Sequence, residues 1–407
     1  MALSGILPPR EHTSNDQKAV LSSRSRADGR FVQAIPAQTL PGHHAGGGND
    51  LDYLGVTVEN EDILVSVENG VGVMVLNRPK AINSLTHGMV TTMHTVLTEW
   101  EHDDAVRAVV LSGAGERGLC AGGDVVAIYH SARADGSEAR RFWYDEYLLD
   151  GLIGRYSKPY VSFMDGIVMG GGVGVGAHAS TRVVTDTTKM AMPEVGIGFA
   201  PDVGGTYLLS RAPGLLGVHA ALTGAPFNGA DAIAMGFADR YVPHDRLAEF
   251  TNAVIADGLD AALATYAIAP PPSSLVAQRE WIDECYAGDT VADIVAALRG
   301  HDAAPANDAA NLIATRSPTS LAVALEAVRR AAKLDTLEDV LRQEYRVSCG
   351  TLRSHDLVEG IRAQVVDKDR SPKWSPASLS AVTAADVEAF FSPVEHELTF
   401  EEEEIRP

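Results

Sequence analysis

Hydrophobic and polar residues alternate along the first half of the chain in blocks that have the lengths of strands and helices. Residues 63–67 and 71–76 are two apolar runs separated by a turn at Gly70, which predicts two paired strands. Residues 85–101 carry apolar positions at helical spacing, and residues 108–111 are wholly apolar, as in a strand buried on both faces. The pattern therefore opens with two strands, a helix and a strand.

The same alternation continues over about the next hundred residues. The predicted elements are a mostly helical stretch at 124–156, strands at 159–164 and 181–185, and between them a helix that starts within 170–179 and carries small residues. Strands that alternate with helices predict an α/β core with parallel pairing. From residue 246 onward Ala-rich helical patterns replace the strands, for example at 320–333 and 337–349.

These patterns divide the chain into four parts. Residues 1–55 mix Ser, Pro, Gly, Gln and His without a hydrophobic period, which predicts a disordered arm. Residues 56–245 form the predicted α/β core, residues 246–395 a helical C-terminal subdomain, and residues 396–407 an acidic tail with four consecutive glutamates.

Composition narrows the classes of function. A net charge of -21 repels the phosphates of nucleic acids and the head groups of anionic membranes, so neither is an expected binding partner. Three widely spaced cysteines predict neither a disulfide framework nor a metal site, and they fit a reducing compartment. We expect a bacterial-type cytoplasmic protein, or a mitochondrial matrix protein if the Arg- and Ser-containing arm is a transit peptide, a comparison that its acidic residues weaken.

Four short stretches that are rich in glycine or carry an acid follow predicted strands. They are residues 120–124, 170–172, 192–194 and 201–205. Glycine lets backbone N–H groups face a ligand with no Cβ in the way, so two such stretches can hold an oxyanion. Each glycine run alone could equally serve a tight turn, and the two together favour a site.

Two acids stand beside these glycines. Glu194 lies in an apolar setting that raises the pKa of a carboxyl and suits proton transfer or nucleophilic attack near neutral pH. Asp202 follows eight residues later and could share its pocket, or it could simply cap the segment that begins at Gly204. Cys120, His87 and His178 are better explained as buried or locally hydrogen-bonded residues than as catalytic groups.

A dinucleotide site is the main rival explanation of the glycines. Residues 172–177 satisfy a Gly-x-Gly-x-x-Ala fingerprint, but the next strand, at 181–185, follows too soon for that fold. The chain has no Gly-x-Ser-x-Gly elbow and no phosphate-binding loop of the Gly-x-x-x-x-Gly-Lys type.

Five segments together resemble the crotonase, or enoyl-CoA hydratase/isomerase, superfamily: residues 76–85, 120–124, 158–160, 165–174 and 191–205. The resemblance implies an α/β fold, the ClpP-like spiral of repeated ββα units, followed by a helical C-terminal subdomain. It also implies an acyl-CoA substrate, with coenzyme A as part of the substrate and no further cofactor, and an oxyanion hole formed by the amides of Gly123 and Gly171.

The acids indicate a branch of this superfamily. Hydratases carry a glutamate at the position of Gly174, which has no side chain here. Asp202 in Pro-Asp-Val-Gly-Gly, together with Glu146 as a substrate-contacting acid, resembles instead the branch that hydrolyses 3-hydroxyisobutyryl-CoA in valine catabolism. Glu194 and Asp202 are then the expected catalytic residues, with Glu146, Gly171, Glu194 and Asp202 binding the substrate.

Two other functions stay open at this point. The first is an enoyl-CoA hydratase or isomerase that replaces the acid missing at Gly174, and the second is a non-catalytic acyl-CoA binding protein. The helical tail could pack within its own chain or on a neighbouring copy, so a homo-oligomer is also an open expectation.

Overall fold

Two β-sheets and a set of surrounding helices make up the part of the chain that the computed structural model describes, residues 60–400. The predicted arm at 1–55 and the glutamates from residue 401 onward lie outside the described residues. The nine strands are β1 (Ile63–Glu68), β2 (Val71–Leu76), β3 (Ala108–Gly113), β4 (Tyr160–Met164), β5 (Ile167–Met169), β6 (Thr181–Val184), β7 (Lys189–Ala191), β8 (Phe227–Asn228) and β9 (Arg240–Tyr241).

The larger sheet has the strand order β1-β2-β3-β4-β6-β9, and the smaller sheet has the order β5-β7-β8. In the larger sheet β1 and β2 form an antiparallel hairpin, and every other neighbouring pair is parallel. This confirms the predicted hairpin and the predicted parallel core.

Along the chain, strands of the larger sheet alternate with segments of the smaller sheet, and a helix follows each such pair. After β3, Cys120 bridges to Val168 of β5 in the smaller sheet, and a helix begins at Val125. After β4 the chain forms β5 and then the glycine-rich helix at Gly171, and after β6 it forms β7 and the turn at Glu194. This is the repeated ββα unit of the predicted spiral.

Sixteen α-helices complete the described residues. They are α1 (His87–His102), α2 (Val125–Ala132), α3 (Ser137–Gly154), α4 (Gly171–Ala177), α5 (Gly205–Arg211), α6 (Leu216–Thr223), α7 (Gly229–Ala234), α8 (Leu247–Asp257), α9 (Leu259–Tyr266), α10 (Arg279–Cys285), α11 (Val291–Gly300), α12 (Ala304–Ile313), α13 (Pro318–Ala331), α14 (Leu337–Thr351), α15 (His355–Ile361) and α16 (Ala384–Glu388). A five-residue π-helix, Arg362–Val366, continues α15.

Helix α1 shows how local sequence sets an element. The Thr86 hydroxyl accepts a hydrogen bond from the Met89 N–H and so caps the first turn. Met89, Met93 and Trp100 are among the buried residues, at intervals of four and seven positions, because that spacing places them on one face of a helix.

The helical C-terminal region packs tightly onto the spiral. The described residues form one compact unit, with no division near residue 245. Packing also continues past residue 395, since Leu398 and Phe400 are buried and the Phe400 ring fills the space beside Gly151 of α3. Within residues 60–400 no helix is long and apolar enough to cross a membrane.

Candidate active site

A clamp of hydrogen bonds shapes the first glycine loop. The buried Asn83 side chain donates to the carbonyls of Ala114 and Gly118 and accepts from the Arg78 N–H. The backbone of Leu85 pairs on both sides of Gly123, donating to the Gly122 carbonyl and accepting from the Asp124 N–H. The segment 76–85 therefore fixes the backbone around Gly123.

The amides of Gly123 and Gly171 lie side by side. A Cβ at position 171 would lie 3.3 Å from the Gly123 nitrogen. Within residues 60–400 neither N–H donates a hydrogen bond, and both glycines line the same cavity. The structure thus brings together two free backbone donors, as an oxyanion hole requires.

This cavity has a volume of about 240 Å³. The two glycines line it together with Glu146 of α3, Glu194 and Asp202. All five predicted site residues therefore line the same cavity. Trp143 stacks on Phe199 at a centroid distance of 5.3 Å and forms an apolar side. The helical region also contributes to the lining, through Arg316, Leu357, Ile361 and Gln364.

Two of the acids approach the glycine-rich helix where side chains are missing. A Cβ on Gly170 would lie 3.2 Å from Oε1 of Glu194, and a Cβ on Gly171 would lie 2.5 Å from Oε1 of Glu146. Glycine at both positions is therefore needed for the carboxyls to reach this edge of the cavity.

Burial favours the protonated form of the Glu194 and Glu146 carboxyls. It raises the pKa of Glu194 and of Glu146 well above the ordinary value, and the neighbouring Asp202 charge adds to both shifts. Oε2 of Glu194 and Oε1 of Glu146 find no hydrogen-bond partner in the described part of the chain. Both atoms are therefore available to a substrate or a water molecule.

Asp202 has a different environment. The Tyr147 hydroxyl donates to Oδ2 of Asp202 at 2.7 Å and is itself 2.7 Å from the Ser348 hydroxyl of α14. Burial raises the pKa of Asp202 to about 7, while the Tyr147 hydrogen bond works in the opposite direction. Asp202 is a cavity acid that titrates near neutral pH, and its side chain does not cap the helix that follows.

Two further buried acids were not predicted from the sequence. Glu344 of α14 accepts hydrogen bonds from the Gly204 and Thr206 N–H groups and from the Thr206 hydroxyl, and so anchors the loop that carries Asp202. Asp150 lies one helical turn beyond Glu146 and is fully buried. Asp150 could have been predicted, because it lies four residues after Glu146 and so on the same face of the predicted helix. The sequence around Glu344, in contrast, does not indicate which loop it contacts.

The other candidate residues have structural environments. Cys120 is buried, and burial raises the pKa of its thiol to about 12, which opposes a nucleophilic role. His178 bonds the Val203 carbonyl, and burial lowers the pKa of its ring to about 4. His87 bonds Asp145 outside the cavity wall. In residues 60–400 no cluster of His, Cys, Asp and Glu has the arrangement of a metal site.

Comparison with known proteins assigns the family. The profile of the enoyl-CoA hydratase/isomerase family matches residues 71–391. The chain belongs to the enoyl-CoA hydratase/isomerase family. Among curated members, the mitochondrial 3-hydroxyisobutyryl-CoA hydrolase of Danio rerio is 37% identical over 82% of this chain and 90% of that protein. The same enzyme of Homo sapiens is 36% identical over 81% of this chain and 88% of that protein.

Two similar solved structures confirm the predicted fold. A carnitinyl-CoA dehydratase from Mycobacterium thermoresistibile is 76% identical with a TM-score of 0.82, and the match covers 84% of this chain and 99% of that one. An enoyl-CoA hydratase from Rhodobacter sphaeroides 2.4.1 is 38% identical with a TM-score of 0.80, over 84% and 100%. The names of these relatives all specify acyl-CoA compounds but differ in the reaction.

Proposed function

We propose that this chain hydrolyses a short hydroxyacyl-CoA thioester, with 3-hydroxyisobutyryl-CoA as the first candidate. The observation that carries the proposal is the shared cavity in which Glu146, Glu194 and Asp202 face the free amides of Gly123 and Gly171. Curated family members named for this hydrolysis, similar over more than four fifths of the chain, support it.

In the general-base route the carboxylate of Glu194 takes a proton from water while the water oxygen attacks the thioester carbon. The carbonyl oxygen gains the negative charge and accepts hydrogen bonds from the N–H groups of Gly123 and Gly171, each worth about 3 kcal/mol in the transition state. The C–S bond then breaks, and the proton on Glu194 passes to the departing sulfur. Coenzyme A and a carboxylic acid are released.

In the covalent route an oxygen of Glu194 attacks the thioester carbon itself and expels the coenzyme A thiolate, which leaves an acyl anhydride for water to open. In both routes Asp202 orients the substrate hydroxyl or assists the water, and Glu146 contacts the acyl group. Mass spectrometry after one turnover in oxygen-18 water separates the routes. Label in the Glu194 carboxylate supports an anhydride that water opens at the Glu194 carbonyl carbon, and its clear absence rejects that route.

The decisive test is the release of free thiol from a panel of short hydroxyacyl-CoA and enoyl-CoA esters. We expect thiol release to be fastest with 3-hydroxyisobutyryl-CoA, followed by 3-hydroxypropionyl-CoA. Loss of the enoyl absorbance of crotonyl-CoA without any thiol release from the panel would contradict hydrolysis.

Hydration or dehydration is the second candidate. It is favoured by two glutamates in the cavity, Glu146 and Glu194, and by the 76% identical structure of a carnitinyl-CoA dehydratase. The bare Gly174 argues against it, because hydratases of this superfamily carry one of their two glutamates at that position. Carnitinyl-CoA belongs in the substrate panel for this reason.

Cellular location and assembly are extensions of the proposal. We place the enzyme in the bacterial-type cytoplasm, with the mitochondrial matrix as the alternative that the names of the curated relatives raise. A homo-oligomer stays a prediction, to be checked by light scattering of the full chain.

A further inference from the structure

Asp150 is the one carboxyl in the described residues whose two oxygens are both buried without a hydrogen-bond partner. It lies on α3 one turn after Glu146, and it is not among the residues that line the cavity. A Cβ at Gly174 of α4 would lie 2.6 Å from its Oδ1. The carboxyl therefore occupies the volume that a side chain at position 174 would need.

The groups around Asp150 are acids and phenols. Glu146 shares its helix, Asp202 comes from the loop after β7, Glu344 from α14, and the Tyr160 hydroxyl from β4. No basic side chain contributes to the electrostatics of this carboxyl in residues 60–400. Burial, first of all, and these three neighbouring acids raise its pKa well above the ordinary value, which favours the protonated form of this carboxyl.

A neutral carboxyl has one O–H to donate, and Glu146 has one buried oxygen, Oε1, that lacks a donor. Residues at i and i+4 on a helix face each other at about 6 Å between Cβ atoms, a gap that a rotamer change or one bridging water closes. A protonated Asp150 can therefore supply the hydrogen-bond donor that Oε1 of Glu146 lacks.

We propose that Asp150 is a positioning residue that acts as a neutral hydrogen-bond donor to Glu146 and holds its carboxylate toward the substrate. This inference rests on the proposed function, in which Glu146 contacts the acyl group. Gly174 belongs to the same arrangement, since it leaves room for the Asp150 carboxyl on the side of α4 that faces α3.

The test compares Asp150→Asn, which keeps a donor of the same shape, with Asp150→Leu, which keeps the volume and removes the donor. The exposed surface acid Asp257 provides the control variant Asp257→Asn. For each protein kcat and KM for thioester hydrolysis are measured across pH 5 to 9. A donor to Glu146 favours its charged form, so we expect the acidic limb of the profile to move to higher pH in Asp150→Leu and to stay in place in Asp150→Asn.

We also expect Asp150→Leu to lose about 10- to 100-fold in kcat/KM, the loss typical when a residue that orients a metal ligand is replaced. Asp150→Asn should stay within a few-fold of wild type. Identical pH profiles for both variants and wild type would reduce Asp150 to a space-filling residue and overturn the inference. A shift of the limb to lower pH in both variants would overturn it too, since that result requires a charged Asp150.

Infrared titration keeps the inference testable if Asp150→Leu fails to fold or if no thioester is hydrolysed. A component of the C=O band of protonated carboxyls that persists through neutral pH in wild type and is missing from Asp150→Asn supports a neutral Asp150. The same band intensity in both proteins contradicts it. A failure of hydrolysis itself appears separately, as absence of thiol release by wild type.

Discussion

Replacing Gly174 by alanine tests the packing between α3 and α4 directly. The added methyl carbon would lie 2.6 Å from Oδ1 and 3.0 Å from Cγ of Asp150, and 2.9 Å from Cβ of Val203. Ordinary van der Waals contact begins near 3.4 Å. Since Asp150 and Val203 are both buried, neither can move into solvent.

We expect Gly174→Ala to lower the free energy of unfolding by about 1–3 kcal/mol, the usual cost of overpacking a dense core. Asp150→Ala removes Cγ and both oxygens, so it takes away two of the three close contacts. It also removes a buried carboxyl without a partner, which offsets part of the cost of the cavity it leaves. The double variant should therefore be more stable than the sum of the two changes predicts, by about 0.5–2 kcal/mol.

The assay is urea denaturation of the two single variants, the double variant and wild type at pH 7, followed by circular dichroism and tryptophan fluorescence. Gly300→Ala serves as the matched control, because a Cβ there meets no atom within 4 Å. Additivity within about 0.5 kcal/mol, or a Gly174→Ala protein as stable as the Gly300→Ala control, would refute the packing argument.

Three further changes probe the rest of the site. Glu194→Gln should lower kcat by about 10²- to 10⁴-fold with coenzyme A affinity unchanged, as measured by kinetics and calorimetry, and full activity would reject its role. Tyr147→Phe removes the hydrogen bond that lowers the pKa of Asp202, so the pH–rate profile should shift to higher pH by about 1–2 pH units. An unchanged profile would show that the ionisation of Asp202 does not control the rate. Gly198→Ala forces a positive φ and overlaps the Asp356 carbonyl, so a loss of stability below about 1 kcal/mol would contradict this close approach.

Much of the fold was predictable because its strands are apolar runs in a regular rhythm with helices. The hairpin of β1 and β2 and the strands β3, β4 and β6 lie within a residue or two of their predicted places. The smaller sheet was missed, since β5 and β7 have three residues each, which is too short to show a periodicity.

The site was predictable where its residues lie in contiguous motifs. Glu194, Asp202 and the two glycine amides come from such segments, and the structure places them around one cavity, although their catalytic roles stay predictions. Glu344 was not predictable, because it reaches the Asp202 loop from 138 residues away in sequence, to Thr206. A contact of that kind depends on how helices pack, which local patterns do not encode.

The buried acids also change what the formal charge of the protein means. The value of -21 counts every carboxyl as ionised. The folded chain holds part of the carboxyl protons at neutral pH on acids such as Asp202 and Glu344, since burial raises their pKa to about 7 and about 8, whereas the unfolded chain releases them. Because the folded state binds more protons, its free energy of unfolding falls as pH rises above about 4, the ordinary pKa of these acids. Unfolding at neutral pH should acidify an unbuffered solution, and the native protein should migrate toward the anode more slowly than its sequence predicts.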